Sequence, residues 1–449
     1  MEISIGIGIV TAILFISMFV LLLTGLPVVF VLGGVGTLFS ILFLGFNSTL
    51  GIFMSTWSQF TAQVLLAIPL FLLMASVLQH SGIADGFYSM FHKWMGGLNG
   101  GLAIGTVLIC LIFAALTGTS GAATVSMGLI ALPSMIKRGY NKHMAIGTVG
   151  ASGVLGIIIP PSIIMIIYSL VAHVPIGKMF MAGILPGITG STMFCIYLGI
   201  RCWLKPEDGP ALPPEQRATW KEKLISLREL ILPTLLIIGV LGSIWGGIAT
   251  PTEAAAVGAF GSFICAIVYR NFNWVLIKKT TRQTLNLTAM VFWIMAGAAA
   301  FSNLYTQLGA RSLVESTITA LHVSPWVILI FMQLSLFALG TIMDDYAIVM
   351  LAGPIYVPII KQLGFDPIWF GVLFILNMSQ AYLTPPYGFN LFYLRALTPA
   401  IKEQTGIEIS MADIYRGVVP FVLMKLVNLL LVMVFPVLAI WLPNLIYGK

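Results

Sequence analysis

Between Val149 and Tyr168 runs a stretch apolar enough to cross a bilayer that cannot form one regular helix. Pro160-Pro161 removes two backbone donors and clashes with the preceding turn. Pro160 also pushes Ile159 out of the α region, and Gly150, Gly153 and Gly156 loosen the backbone just upstream. The helix is therefore expected to break near mid-membrane. Freed carbonyls need partners there, so a broken helix survives only where protein or a water-filled cavity surrounds it. In transporters such breaks coordinate ions and substrate.

The stretch has a twin. Leu376 to Tyr393 carries Pro385-Pro386 at an offset of 225 from Pro160-Pro161. The same offset relates Pro133 to Pro358, Gly139-Tyr140-Asn141 to Gly364-Phe365-Asp366, and Tyr168 to Tyr393. Past an insertion of nine in the second copy, Gly183 and Pro186 match Gly417 and Pro420. Five landmarks in register, with one apolar pattern between them, read as an internal duplication.

Only 8% of the residues are charged and 59% are apolar, against roughly 25% charged in a soluble domain, so the chain reads as an all-α polytopic membrane protein. Its net charge of +7 clusters in loops, which signals topology and a lipid bilayer rather than a nucleic-acid partner. Cys110, Cys195, Cys202 and Cys265 lie in or beside apolar runs with no CxxC or metal-ligand spacing, and read as free thiols.

Spans are expected at 5–23, a run with no basic residue before it and no cleavage site after it, and then at 27–46 and about 61–79. A basic loop with His92 and Lys93 follows. Residues 102–137 are interrupted at Thr117-Gly-Thr-Ser-Gly121, leaving two arms of about 15 residues that reach roughly 22 Å of a ~30 Å core. A re-entrant hairpin fits better than two spans. The first broken helix covers 142–172, and a span closes an N-terminal half of 1–203.

A linker over 204–230, with an interfacial helix near Trp220 to Leu230, leads to a C-terminal half of 231–449. That half holds spans at 231–248 and 253–269, a basic loop from Arg270 to Arg282, a span to about Tyr305, a hairpin at 325–361, a broken helix at 367–399 and a last span ending near Leu445. The total is about 10 spans plus two hairpins.

Charge orients the chain. The linker holds Arg201, Lys205, Arg217, Lys221, Lys223 and Arg228, and the next basic loop Arg270, Lys278, Lys279 and Arg282, so both belong in the cytoplasm. Counting spans puts the Lys137-Arg138 hairpin base inside, the Lys361 base outside and both termini outside. The copies thus have opposite topology, the inverted-repeat plan of secondary transporters.

The paired Pro-Pro breaks, the Gly118-Thr-Ser-Gly-Ala-Ala-Thr124 tip and the Gly246-Gly-Ile-Ala-Thr-Pro-Thr-Glu-Ala-Ala-Ala256 signature resemble the large membrane subunit of TRAP transporters (tripartite ATP-independent periplasmic), of the DctM or SiaM type, over essentially the whole chain. The resemblance implies sodium-driven uptake by an elevator mechanism in a bacterial or archaeal inner membrane. It also implies a small four-helix membrane subunit, expected as a separate polypeptide, and a soluble periplasmic binding protein. The chain departs from the family pattern at Ala381-Tyr-Leu-Thr-Pro-Pro-Tyr-Gly-Phe389 and Met343-Asp-Asp345, where aromatic and doubled acidic residues stand. Binding-protein-independent divalent-anion symporters share the hairpin plan and are the nearest alternative.

No organic cofactor is expected, and sodium is the expected coupling ion. Unwound carbonyls and hydroxyls supply oxygen ligands, which nominates Gly118, Thr119, Ser120, Ser152 and Gly156 for one site and Gly340, Thr341, Asp344, Asn377 and Thr384 for another. Gly118 to Ser120 also read as a simple tight turn. Asp344 also reads as a cap three residues after Thr341, although an acidic group at membrane depth is costly enough to favour function. Glu253 completes a capping box with Thr250 or serves an ion or substrate; the two are compatible.

For cargo, the half-helices starting after Pro161 and Pro386 present partial positive charge, and with Ser162, Thr124, Asp345 and Arg395 they favour a small organic anion, carboxylate or sulfonate. Arg395 either faces the substrate or snorkels to the interface, and Tyr382, Tyr387 and Phe389 either narrow the site or pack away from it. The five histidines have no metal spacing and are placed at interfaces. Neither HExxH nor GxSxG is present, which argues against an intramembrane enzyme, and closed sites at hairpin tips argue against a channel.

Overall fold

Landmarks shared by the two copies become shared helix ends. In this computed structural model, which describes residues 6–309, 323–385 and 388–448, the second hairpin arms run over Ser120–Lys137 and Asp345–Gln362, and the broken helices start at Lys142 and Pro367. Each of these starts keeps the offset of 225. Asn141 and Asp366, equivalent residues, both cap the helix that follows. Asn141 Oδ1 accepts from the His143 and Met144 amides, Asp366 Oδ1 from those of Ile368 and Trp369. A short polar acceptor two residues after a left-handed glycine, Gly139 or Gly364, ends one helix and starts the next.

The first arms, Gly101–Thr117 and Pro325–Gly340, have 17 and 16 residues, about 25 Å at 1.5 Å each, and stop short of a full crossing. The first broken helix divides into Lys142–Gly153, a 3-10 turn at Val154–Ile157 and Ile163–Ala172. The second divides into Pro367–Ala381 and Phe389–Thr405, reaching beyond the expected end at 399.

At its start, the first broken helix is tied to the linker, where Asn141 Nδ2 donates to Asp208 Oδ1 at 2.9 Å. Lys142 and His143 hold Asp413 Oδ1 there at 2.9 and 3.0 Å. At its other end, the Ala172 carbonyl accepts from Lys361 Nζ at 3.1 Å, and Tyr168 Oη donates to the Pro367 carbonyl at 2.6 Å. The two hairpin bases therefore sit at opposite ends of one helix, the geometry of an inverted repeat. The linker itself packs back on the first hairpin base through Leu212 N to Gly96 O and Gly100 N to Gly209 O, both 2.7 Å. Its interfacial helix is Trp220–Ser226, opened by a Thr219–Glu222 capping box.

Around this block lies a framework of Ile7–Leu23, Val28–Leu44, Ala67–His80, Arg228–Trp245, Pro251–Val268 and Trp274–Gln307. Its helices close on small residues: a Cβ on Gly36 would come within 2.7 Å of the Ala300 carbonyl carbon, and one on Gly258 within 2.7 Å of Met74 Sδ. Six described helices are long and apolar enough to cross a membrane, among them Ile176–Leu204, Trp274–Gln307 and Met411–Val434.

Several sequence expectations need correction. His92 and Lys93 lie on a helix, Ile83–Met95, not in a loop; its apolar face is buried, so length alone hid it. Ser48–Phe60 forms a helix where none was expected. Lys278, Lys279 and Arg282 occupy the opening turns of the 34-residue helix Trp274–Gln307 rather than a loop. The last span ends at Val434, and a separate helix, Val437–Tyr447, follows Pro436.

Candidate functional site

Each hairpin tip closes on the break of its own copy. Gly118 has φ +61°, and a Cβ there would collide with the Pro161 carbonyl oxygen. On the facing side, a Cβ on Gly156 would come within 2.5 Å of the Thr119 carbonyl oxygen. Four of the nominated residues, Gly118, Thr119, Gly156 and Pro161, are thus brought into one contact by backbones that only glycine lets approach. Ser120 is buried beside them. Ser152, in the last turn before the break, is fully buried, and its Oγ has no hydrogen-bond partner among the described residues.

In the second copy Gly340 packs on Ala381, where a Cβ would lie 2.6 Å from the alanine Cβ. Thr341 and Thr384 bond back to the last turns of the helices they follow, to the Ala338 and Gln380 carbonyls. Asp344 is the N-cap of the second arm, its Oδ1 accepting from Ala347 N at 3.0 Å. Asn377, the equivalent of Ser152, donates Nδ2 to the Gln333 carbonyl at 2.7 Å and to Gln333 Oε1 at 2.8 Å, while its own Oδ1 accepts from no described residue.

Between the tips lies a cavity of about 380 Å³. Thr119, Ser120, Gly121 and Ala122 line it from the first hairpin, and Asp344, Asp345 and Tyr346 from the second. Tyr382, Phe389 and Tyr393 add an aromatic wall, Tyr382 and Phe389 with ring centroids 5.5 Å apart. The framework closes the remaining side with Gln79, Gln283, Leu287 and Met290. Gln283 Nε2 donates to Gln79 Oε1 at 3.0 Å, and Ser76 Oγ donates to Gln283 Oε1 at 3.1 Å. Asp345 is 2% exposed; its amide donates to Tyr382 Oη at 3.1 Å and its Oδ1 accepts from Tyr346 N at 3.0 Å.

The other nominated cargo residues lie elsewhere. Ser162 Oγ is spent on the Ile157 carbonyl freed by the break, at 2.7 Å. Thr124 Oγ1 donates to Asn390 Oδ1 at 2.8 Å and packs against Gly153. Arg395 is exposed and donates to the Ile409 carbonyl at 3.2 Å; Tyr393, two residues before it, lines the cavity, but Arg395 does not. Pro386 and Tyr387 lie outside the described residues. Glu253 completes the capping box, Oε2 accepting from Thr250 N and Oγ1 at 2.8 Å each.

Sequence reasoning missed Asn390, Gln79 and Gln283. For Asn390 the one available signal was a lone amide inside an otherwise apolar run, which is costly unless satisfied; Gln283 follows Arg282 in a polar stretch and Gln79 precedes His80, so neither carried it.

Two inverted copies, each closing a re-entrant hairpin on an interrupted helix around a shared cavity that carries Asp344 and Asp345 in a multi-pass helical protein, define a membrane transporter of the inverted-repeat class. The chain belongs to the family described as "Tripartite ATP-independent periplasmic transporter, DctM component", whose family model matches residues 15–438. It is 34% identical over 462 residues to the C4-dicarboxylate TRAP transporter large permease protein DctM of Vibrio cholerae, covering 97% of this chain and 98% of that protein. To the sialic acid TRAP transporter large permease protein SiaM of the same organism it is 30% identical over 433 residues, covering 95% and 97%. The crystal structure of the Alcanivorax borkumensis YdaH transporter shares the fold with a TM-score of 0.62 at 16% identity, covering 88% of each chain. The chain is thus a transporter permease, not an enzyme. Its family works with a small membrane subunit and a periplasmic binding protein.

Proposed function

We propose that this chain carries out sodium-coupled secondary active uptake of a small organic anion, a carboxylate such as a C4-dicarboxylate or sialic acid, or a sulfonate. A periplasmic binding protein delivers the cargo, and a separate small four-helix subunit completes the membrane complex. The linker and the first hairpin base face the cytoplasm; both termini face the periplasm.

The observation that carries this reading is the shared cavity: its walls come from both hairpin tips on one side and from framework helices on the other. Rigid-body movement of the tips and breaks against the framework would expose such a site alternately to the two faces. Sodium has oxygen ligands to draw on at each break, and Ser152 Oγ and Asn377 Oδ1, at equivalent positions, are buried without a partner among the described residues. Relatives named for C4-dicarboxylate and sialic acid support an acid as cargo.

The test is uptake into proteoliposomes holding the permease and its small subunit, with the cognate binding protein outside. Uptake is expected to rise with sodium with a Hill slope above one. Undiminished uptake in sodium-free buffer, with proton gradients collapsed, would overturn the coupling.

A further inference from the structure

We propose that the acid taken by this cavity is a zwitterion: its carboxylate meets the amides at the first hairpin tip, and its cationic nitrogen meets Asp345 and the aromatic wall. The proposal rests on the transport reading and narrows its cargo to acids that also carry a cationic nitrogen, in place of the dicarboxylates.

The two second arms give the reason. They start at equivalent residues, Ser120 and Asp345, after equivalent N-cap residues, Thr119 and Asp344. In the second copy the Asp344 carboxylate accepts from the first turn, at Ala347 N. In the first copy Thr119 is extended, at φ −137° and ψ 145°, and its side chain makes no capping bond. No acceptor among the described residues takes the first-turn amides of Ser120, Gly121 and Ala122, all of which line the cavity. The Ser120 hydroxyl, only 5% exposed, also lines it and has no partner among the described residues. A helix N-terminus with unspent donors attracts an anion. A cargo carboxylate would do in the first copy what Asp344 does in the second.

The opposite wall has the opposite character. Asp344 and Asp345 bring two carboxylates, and among the described residues no Lys, Arg or His lines the cavity. A dianion would place its second carboxylate against these two with no cation between them. Tyr346, Tyr382, Tyr393 and Phe389 instead line the cavity with aromatic rings next to those carboxylates, a combination that suits an ammonium group. Tyr393 joins the two walls. A Cβ on Gly121 would come within 3.0 Å of its ring, so glycine lets the ring lie on the first hairpin's helix start.

Binding to the purified permease–small-subunit complex in nanodiscs decides the matter, by calorimetry with ω-aminoalkanoates of three to six carbons, the alkanoates of equal length and the alkanedioates. At least one aminoalkanoate is expected to bind tenfold or more tightly than its alkanedioate. Asp345→Asn should lose that preference at least tenfold while leaving the alkanoate unaffected. Thr119→Asp, which supplies the missing cap, should weaken every carboxylate ligand. Alkanedioates binding as well as aminoalkanoates, no aminoalkanoate binding, or a preference untouched by Asp345→Asn would overturn the proposal. Dicarboxylates that win in binding and are also transported would defeat the zwitterion and leave the transport reading standing. Aminoalkanoate binding without transport of any acid would do the reverse.

Discussion

Thr124, on the second arm of the first hairpin, donates its hydroxyl hydrogen to Oδ1 of Asn390, on the last half-helix of the second copy, at 2.8 Å. Asn390 then spends Nδ2 on the Gly150 carbonyl of the first broken helix at 2.7 Å. One fully buried amide thus joins three elements from both copies. Asn390→Leu is expected to destabilise the protein by about 1–3 kcal/mol, because it leaves the Thr124 hydroxyl and the Gly150 carbonyl unpaired. Pairing it with Thr124→Val should recover part of that loss, a coupling of roughly 0.5–1.5 kcal/mol in thermal unfolding, near the range for side-chain hydrogen bonds in membranes.

Gly118 and Gly364 share a left-handed backbone, at φ +61° and +79°, but only Gly118 has a neighbour where a Cβ would sit. Alanine costs about 1–2 kcal/mol at either position from backbone strain alone. Gly118→Ala must in addition push the tip off Pro161, so uptake should fall at least tenfold, while Gly364→Ala keeps most of it. Equal uptake by the two variants would show that the tip contact is dispensable.

The first broken helix and the last long helix cross at Gly147 and Gly417; a Cβ on Gly417 would come within 2.6 Å of the His143 carbonyl oxygen, and one on Gly147 would collide with that of Gly417. Gly147→Val is therefore expected to cost about 1–3 kcal/mol or more by overpacking. The melting temperature of the detergent-solubilised variant reads this directly.

Ala122 and Met290 face the same cavity from the first hairpin and from the framework. If the hairpins move as a block, a crosslink between cysteines in A122C/M290C should form in one transport state only and stop uptake, with reduction restoring it. Crosslinking at equal yield in every state would speak against relative motion.

His92 lies on the helix Ile83–Met95, outside the spans, with Nε2 buried and without a partner among the described residues. Burial, then the charges of Arg138 and Lys93, hold its imidazole below the ordinary histidine value. The unfolded chain takes up this proton at higher pH than the folded one, so the stability tied to the neutral ring is complete above about pH 6.5 and declines as pH falls below that. The melting temperature should drop less between pH 7 and 5 in His92→Gln than in the parent.

Much of the architecture could be read directly from the residue order. Proline pairs, left-handed glycines and short polar caps act through the backbone within a few residues of themselves. That is why the breaks and the hairpin interruptions were legible without coordinates, while Asn141 and Asp366 could be matched as equivalent landmarks but not read as caps. The helices Ile83–Met95 and Ser48–Phe60 were not legible, because neither has the length that hydropathy reads.

The site was legible in its parts and not in its assembly. Thr119, Ser120, Asp344 and Asp345 could be nominated because polar groups at hairpin tips are costly in a membrane. Which of them share a cavity, and that Thr124 and Ser162 are spent on internal bonds, depends on partners 266 residues away for Thr124 and five away for Ser162. The sequence by itself determined the duplication, the inversion and the positions of the breaks, all consequences of local backbone chemistry and charge in loops. Only the tertiary structure decided which donors and acceptors remain unspent, since a hydrogen bond is satisfied by whatever folding brings within about 3 Å of it.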